Sequence, residues 1–157
     1  LDYLPDDARD VEAQHCVHNV RRSTSRPERL FMQFHGGVYR SDDSGATWID
    51  VRAGLPSDFG FPIVVDPIDP DSAYVIPLVG AEDRTTPDGA VRVWETRDAG
   101  ATWAPRGDGL PAEKGAGQEL ELYFGATSGD VFGSGDAGST WATVADHLPP
   151  VYSVRTA

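Results

Sequence analysis

Cys16, His18 and His35 offer one thiol and two imidazoles, the donor types that hold a borderline-soft metal ion. Residues two apart on an extended strand share a face and residues three apart do not, so Cys16 and His18 can converge while His15 and His18 cannot. Histidines at the inner end of a sheet more commonly pack or hydrogen-bond than ligate. The residues alone therefore lead us to expect no metal and no cofactor, with Cys16, His18 and His35 as the candidate set if one is bound. Asp43, Asp98 and Asp136 are three further carboxylates that, taken singly, suggest acid–base chemistry or calcium. Glu82, Asp83 and Arg84 place both signs of charge in the stretch Val79–Gly89, which is longer than a hairpin needs and is a candidate binding loop. Ser23-Thr24-Ser25 reads as a polar turn. There is no P-loop, dinucleotide fingerprint, His-Glu-x-x-His motif or Gly-x-Ser-x-Gly elbow.

The three aspartates lose their catalytic appearance once their neighbours are read. They sit in Ser41-Asp42-Asp43-Ser44-Gly45-Ala46-Thr47-Trp48, Thr96-Arg97-Asp98-Ala99-Gly100-Ala101-Thr102-Trp103 and Ser134-Gly135-Asp136-Ala137-Gly138-Ser139-Thr140-Trp141. Each copy reads Ser/Thr-x-Asp-x-Gly-x-Thr-Trp. A Val-aromatic pair precedes each (Val38-Tyr39, Val93-Trp94, Val131-Phe132) and a Leu-Pro follows (Leu55-Pro56, Leu110-Pro111, Leu148-Pro149), so the chain is built from repeats. A catalytic residue has no reason to recur in register with a Trp and a Leu-Pro. The flanks are β formers and Asp-x-Gly is turn chemistry, which makes each copy a hairpin corner. The Asp can accept from backbone N–H groups that the turn leaves unpaired, and the Ser or Thr at the head can close the same network. Gly45, Gly100 and Gly138 can adopt a positive φ that costs other residues roughly 1–2 kcal/mol. Trp48, Trp103 and Trp141 are large enough to wedge between sheets.

On these motifs the chain resembles the Asp-box, or BNR, repeat family of β-propellers, from about His15 to Ala157. The likeness is to the bacterial sialidase-like BNR proteins and to the C-terminal part of such a propeller. It implies an all-β fold of about three consecutive four-stranded antiparallel blades. A sialidase site implied by the family would hold three Arg, a Tyr–Glu pair, an Asp acid and an Arg-Ile-Pro motif, and none of these maps onto this sequence; Phe61-Pro62-Ile63 lacks the Arg. No catalytic residue is assigned. The resemblance implies a non-catalytic scaffold or binding module for protein or carbohydrate, with a glycoside-hydrolase-like propeller or a piece of one as the alternative.

Composition narrows the partners. A net charge of −12, from 25 acidic and 13 basic residues, repels nucleic acid and anionic membrane surfaces. Lys114 is the sole lysine, which points to genome composition rather than to a cluster of functional guanidiniums. Cys16, the only cysteine, has no intramolecular disulfide partner, and no apolar run is long enough to span a bilayer. The first residues do not read as a signal peptide, so a bacterial cytoplasmic protein is expected, or a secreted one if a signal lies upstream.

The elements that position these residues follow from the pattern of apolar runs and turn signals. An irregular acidic lead-in is expected over 1–14 and a single repeat domain over 15–157, with blades near 15–54, 55–109 and 110–150 and an extra strand at 151–157. Predicted strands are Cys16–Val20, Leu30–Phe34, Val38–Ser41, Thr47–Arg52, Pro62–Asp66, Ala73–Leu78, Ala90–Thr96, Thr102–Arg106, Leu120–Ala126, Asp130–Ser134, Thr140–Ala145 and Val151–Arg155. The interval from Leu110 to Tyr123 is shorter than that from Leu55 to Tyr74 and lacks β-branched residues, so blade three is expected to miss its innermost strand. A closed propeller has about four to eight blades. Three blades with open edges lead us to expect a homo-oligomer, most simply a dimer.

Overall fold

The computed structural model describes residues 16–107, 110, 122–136, 138–152 and 154. The strands are β1 (Val17–Arg22), β2 (Leu30–Phe34), β3 (Gly37–Ser41), β4 (Ile49–Asp50), β5 (Phe59–Val65), β6 (Ala73–Leu78), β7 (Val93–Thr96), β8 (Ala104–Arg106), β9 (Leu122–Gly125), β10 (Val131–Ser134) and β11 (Ala142–Ala145). They form three antiparallel sheets in the orders β1-β2-β3-β4, β5-β6-β7-β8 and β11-β10-β9. The chain divides into two compact units, Leu1–Pro105 and Arg106–Ala157.

In the first unit the central strands of the sheets carry the core. Phe31 on β2 and Ala73 and Val75 on β6 are almost fully buried, joined by Val38, Val51, Ile63, Val65, Ala99 and Trp103, with Leu55 and Trp94 packed against them. Polar groups inside are satisfied: buried Gln33 donates to the carbonyls of Phe34, Gly37 and Asp58 at 3.0, 3.3 and 3.1 Å. These bonds tie the β2–β3 turn to the segment entering β5. Ser23 Oγ donates to Asp66 O at 2.9 Å and Thr24 Oγ1 to Pro67 O at 2.7 Å, so the polar turn after β1 clamps the Asp-Pro turn after β5.

Two strands contain bulges. β1 advances from Val17 to Asn19 while β2 moves only from Phe34 to Gln33, which leaves His18 as the extra residue. β5 advances from Gly60 to Ile63 while β6 moves from Pro77 to Val75. Pro62 and Pro77, which cannot donate to a ladder, both fall at this interruption.

The predicted bounds of β2 and β6 coincide with the observed ones, whereas the strands after each Trp are shorter than predicted. β4, β8 and β11 begin after the Trp rather than at the Thr, because the Thr N–H is committed to the Asp carboxylate of its box and cannot enter the ladder. The predicted strand Val151–Arg155 is corrected: among the described residues of that segment, Val151, Tyr152 and Val154 form no strand. Leu148 N–H donates to Gly129 O at 3.0 Å and Val151 N–H to Ala126 O at 3.1 Å, so the segment clasps the β9–β10 turn. Val151 and Val154 occupy the space that a Cβ on Gly125 would need. Pro149 and Pro150 have no N–H with which to start a ladder there. The lead-in at 1–14 and most of the interval where blade three was expected to lose a strand lie outside the described residues.

Candidate functional site

The three boxes share one hydrogen-bond pattern. The Ser41, Thr96 and Ser134 hydroxyls each donate to the Asp Oδ1 at 2.8 Å and accept the Gly N–H at 2.8 Å. The same Oδ1 accepts the N–H of Thr47, Thr102 or Thr140 at 2.8 Å, and Oδ2 accepts that Thr hydroxyl at 2.6 Å. Gly45, Gly100 and Gly138 have φ of +94°, +86° and +83°. Ser44 and Ala99, just before two of these glycines, are also left-handed, a feature that their residue types do not announce. Both carboxylate oxygens of each box are thus engaged by the turn. Hydrogen bonds from the Thr47 hydroxyl and N–H and from Ser41 hold Asp43 down at about 2. The Thr102 bonds lower Asp98 in the same way. Burial pushes Asp136 up, but the bonds from Thr140 and Ser134 outweigh it and the net shift is downward. The indoles differ: Trp103 and Trp141 are buried and Trp48 is half-buried.

A buried Tyr–Glu pair also emerges that the sequence does not mark. Tyr74 and Glu95 face each other across β6 and β7, and the Tyr74 hydroxyl donates to Glu95 Oε1 at 3.1 Å, an oxygen that also accepts from Arg97 Nε at 2.8 Å. Burial, reinforced by the Glu95 charge, pushes the Tyr74 phenol up and keeps it neutral. The neutral phenol keeps its proton and, through this hydrogen bond, cross-links β6 to β7.

The residues with chemistry to offer converge where β1 and β5 begin. Among the described residues, Cys16, His18 and His35 have ligand atoms that all lie within 4.8 Å of one another. His18 stacks on Phe61 with centroids 4.7 Å apart and meets Phe59 edge-on at 5.2 Å; His35 meets Phe59 at 5.2 Å and His18 at 5.5 Å. Nδ1 of His18 lies 2.5 Å from the carbonyl of Gly60. The two bulges therefore bring His18 and Phe61 face to face.

From the candidate loop Arg84 reaches this cluster, its guanidinium lying 5.3 Å from the Phe61 ring centroid. Glu82 and Asp83 are both exposed, and Asp83 accepts from Thr85 N–H and Oγ1 at 3.2 and 2.7 Å within the loop. Sequence reasoning finds the Cys and His residues but misses Phe59 and Phe61, whose role depends on a bulge that no local pattern reveals.

No protein-family model and no curated protein matches the chain. Solved structures do. A GH74 xyloglucanase from Xanthomonas campestris superposes with a TM-score of 0.60 at 20% identity, over 82% of this chain and 20% of that one. The GH74 enzyme of Niastella koreensis gives 0.58 at 16% identity, over 85% and 18%. YCF48 from Cyanidioschyzon merolae gives 0.56 at 17% identity, over 85% and 41%. The fold is all-β, and its three sheets match parts of β-propeller structures. The chain spans about a fifth of the GH74 enzymes and about two-fifths of YCF48. Among the described residues no helix is long and apolar enough to cross a membrane.

Proposed function

We propose that this chain is a non-catalytic binding module on an Asp-box propeller scaffold, its ligand meeting the surface around Phe61 and Arg84. The observation that carries this reading is the guanidinium of exposed Arg84 laid over the partly exposed Phe61 ring beside His18 and His35. A guanidinium lying over a partly exposed aromatic ring suits a peptide bearing apolar and acidic side chains. A solved YCF48 structure is described as bound to D1 peptide, and its TM-score of 0.56 to this chain favours the same class of ligand. Self-association through the blade edges belongs to this reading as well.

The similarity to a GH74 xyloglucanase favours a second reading, a piece of a hydrolase propeller. Against it, the box carboxylates are spent on turn locks, and Asp42, Asp58 and Glu95 on the ion pairs Arg29–Asp42, Arg52–Asp58 and Arg97–Glu95. An immobilised peptide array probed with the wild type, Phe61→Ala and Arg84→Ala separates the two. Peptides with acidic and aromatic residues are retained by the wild type and lost by both variants, while hydrolysis of xyloglucan and of sialyl or aryl glycosides stays at background. Turnover abolished by changing one carboxylate overturns the binding-module reading.

A further inference from the structure

We propose that Cys16, His18 and His35 form a zinc-type transition-metal site that fastens the start of β1 to the β2–β3 turn. The donors come from three places: Cys16 just before β1, His18 at the bulge of β1, and His35 just after β2. Their backbones are already locked together, because the N–H of His35 donates to the carbonyl of Cys16 at 3.0 Å. In a tetrahedral site with Zn–N of about 2.0–2.1 Å and Zn–S of about 2.3 Å, donor atoms stand roughly 3.3–3.6 Å apart. The observed donor atoms, all within 4.8 Å of one another, stand near that spacing. A thiolate with two imidazoles selects zinc-like ions over calcium and magnesium, which take oxygen ligands.

The hydrogen bond of His18 gives a second, independent sign. A carbonyl oxygen only accepts, so the contact with Gly60 O places the proton on Nδ1 and leaves the lone pair on Nε2. Fixing one ring nitrogen on a backbone carbonyl so that the other faces a metal is the usual outer-shell arrangement of ligating histidines. A Cβ on Gly60 would meet the Ile76 carbonyl at 2.8 Å, so the close approach of β5 to β6 at this residue needs a glycine. Phe59 and Phe61 wall the two rings, restraining them and limiting solvent. With three protein donors, the tetrahedron keeps a fourth position for water or a ligand atom. The site does not depend on Phe61 and Arg84 meeting a ligand.

Titration of the reduced full chain with Zn2+ against a chromophoric chelator, and with Co2+ followed by its absorption spectrum, tests the site. One equivalent of Zn2+ binds, and Cys16→Ser, His18→Gln and His35→Gln each weaken it by at least ~10-fold. His147→Ala, at the exposed histidine of the other compact unit, leaves it unchanged. The Co2+ complex shows tetrahedral d–d bands and a thiolate charge-transfer band, and Cys16→Ser removes the latter. Circular dichroism monitors folding of each variant, and the exposed side chain of Cys16 makes Cys16→Ser decisive even if His35→Gln unfolds. Absence of stoichiometric binding, or binding that Cys16→Ser and His18→Gln leave intact, overturns the proposal.

Discussion

The indole Nε1 of Trp103 donates a 2.6 Å hydrogen bond to the backbone carbonyl of Val51. It thereby joins the box that ends the β7–β8 corner of one sheet to the residue that follows β4 of the other. Val51 is itself fixed by donating to Val38 O at 2.9 Å, so the indole is anchored on an already rigid point. Trp103→Ala should destabilise the first unit by about 3–5 kcal/mol, since it empties a buried volume and orphans the Val51 carbonyl. Trp103→Phe should cost less, keeping most of the apolar contact while losing the hydrogen bond. Urea unfolding curves of the two variants check the order, and an alanine variant that unfolds with the wild type would refute the bridging role.

Val51 also separates two glycines that look equivalent in sequence. Gly45 and Gly100 hold the same box position and both have a positive φ, so alanine at either carries a strain of roughly 1–2 kcal/mol. At Gly100 a Cβ would stand 2.6 Å from Val51 Cβ, whereas at Gly45 the nearest atom is Leu30 Cδ1 at 3.5 Å. The extra crowding adds about 1–3 kcal/mol. Gly100→Ala should therefore melt clearly below Gly45→Ala in side-by-side calorimetry, and equal melting points would show that Val51 yields freely.

Much of the scaffold could be read from the sequence because its determinants are local. Ser41, Asp43, Gly45 and Thr47 lie within one turn and hydrogen-bond to one another, so residue type and spacing suffice to recognise the corner. Strands β2 and β6 are apolar runs bounded by turn signals. The cluster at the start of β1 and β5 was only half legible. Cys16, His18 and His35 announce themselves by type, but the bulge at His18 arises from pairing with β2, and Phe61-Pro62-Ile63 is no substitute for an Arg-Ile-Pro motif and carries nothing else that marks Phe61. The fate of Val151 depends on a turn more than twenty residues earlier, at Ala126, and composition alone suggested a strand.

The box carboxylates give the fold a defined acid limit. In the folded chain Asp43 titrates at about 2, with Asp98 and Asp136 also lowered, all below the roughly 3.9 of an unfolded aspartate. A carboxyl with a depressed folded pKa contributes stability that is fully present above the unfolded value and is lost as pH falls through the folded one. Melting temperature should accordingly be flat above pH 5 in respect of these groups and fall between about pH 4 and 2. Asp98→Asn, whose amide cannot accept the Thr102 hydroxyl at the NH2 end, should melt lower at pH 7 and lose less on acidification. A variant with the same acid slope as the wild type would place the titration elsewhere.

Self-association is the last expectation, and the sheet edges say where to look. β1 and β4 flank the first sheet, and they expose Val17, Val20 and Ile49 at 52%, 38% and 47%. Strand edges carrying apolar side chains invite pairing with another chain, while a net charge of −12 opposes indiscriminate aggregation. The C-terminal segment is an unsuitable exchange element, because Val151 is fastened to Ala126 within its own unit and lies over Gly125. Light scattering should report about twice the 16.9 kDa of one chain. Val20→Lys and Ile49→Lys, which place a charge on each edge at little cost to a partly exposed site, should return the monomer mass with the fold intact. Removal of residues 151–157 should instead lower the melting temperature of the second unit and leave the mass ratio unchanged. A wild-type chain that stays monomeric across its concentration range would show that these edges are protected without a partner.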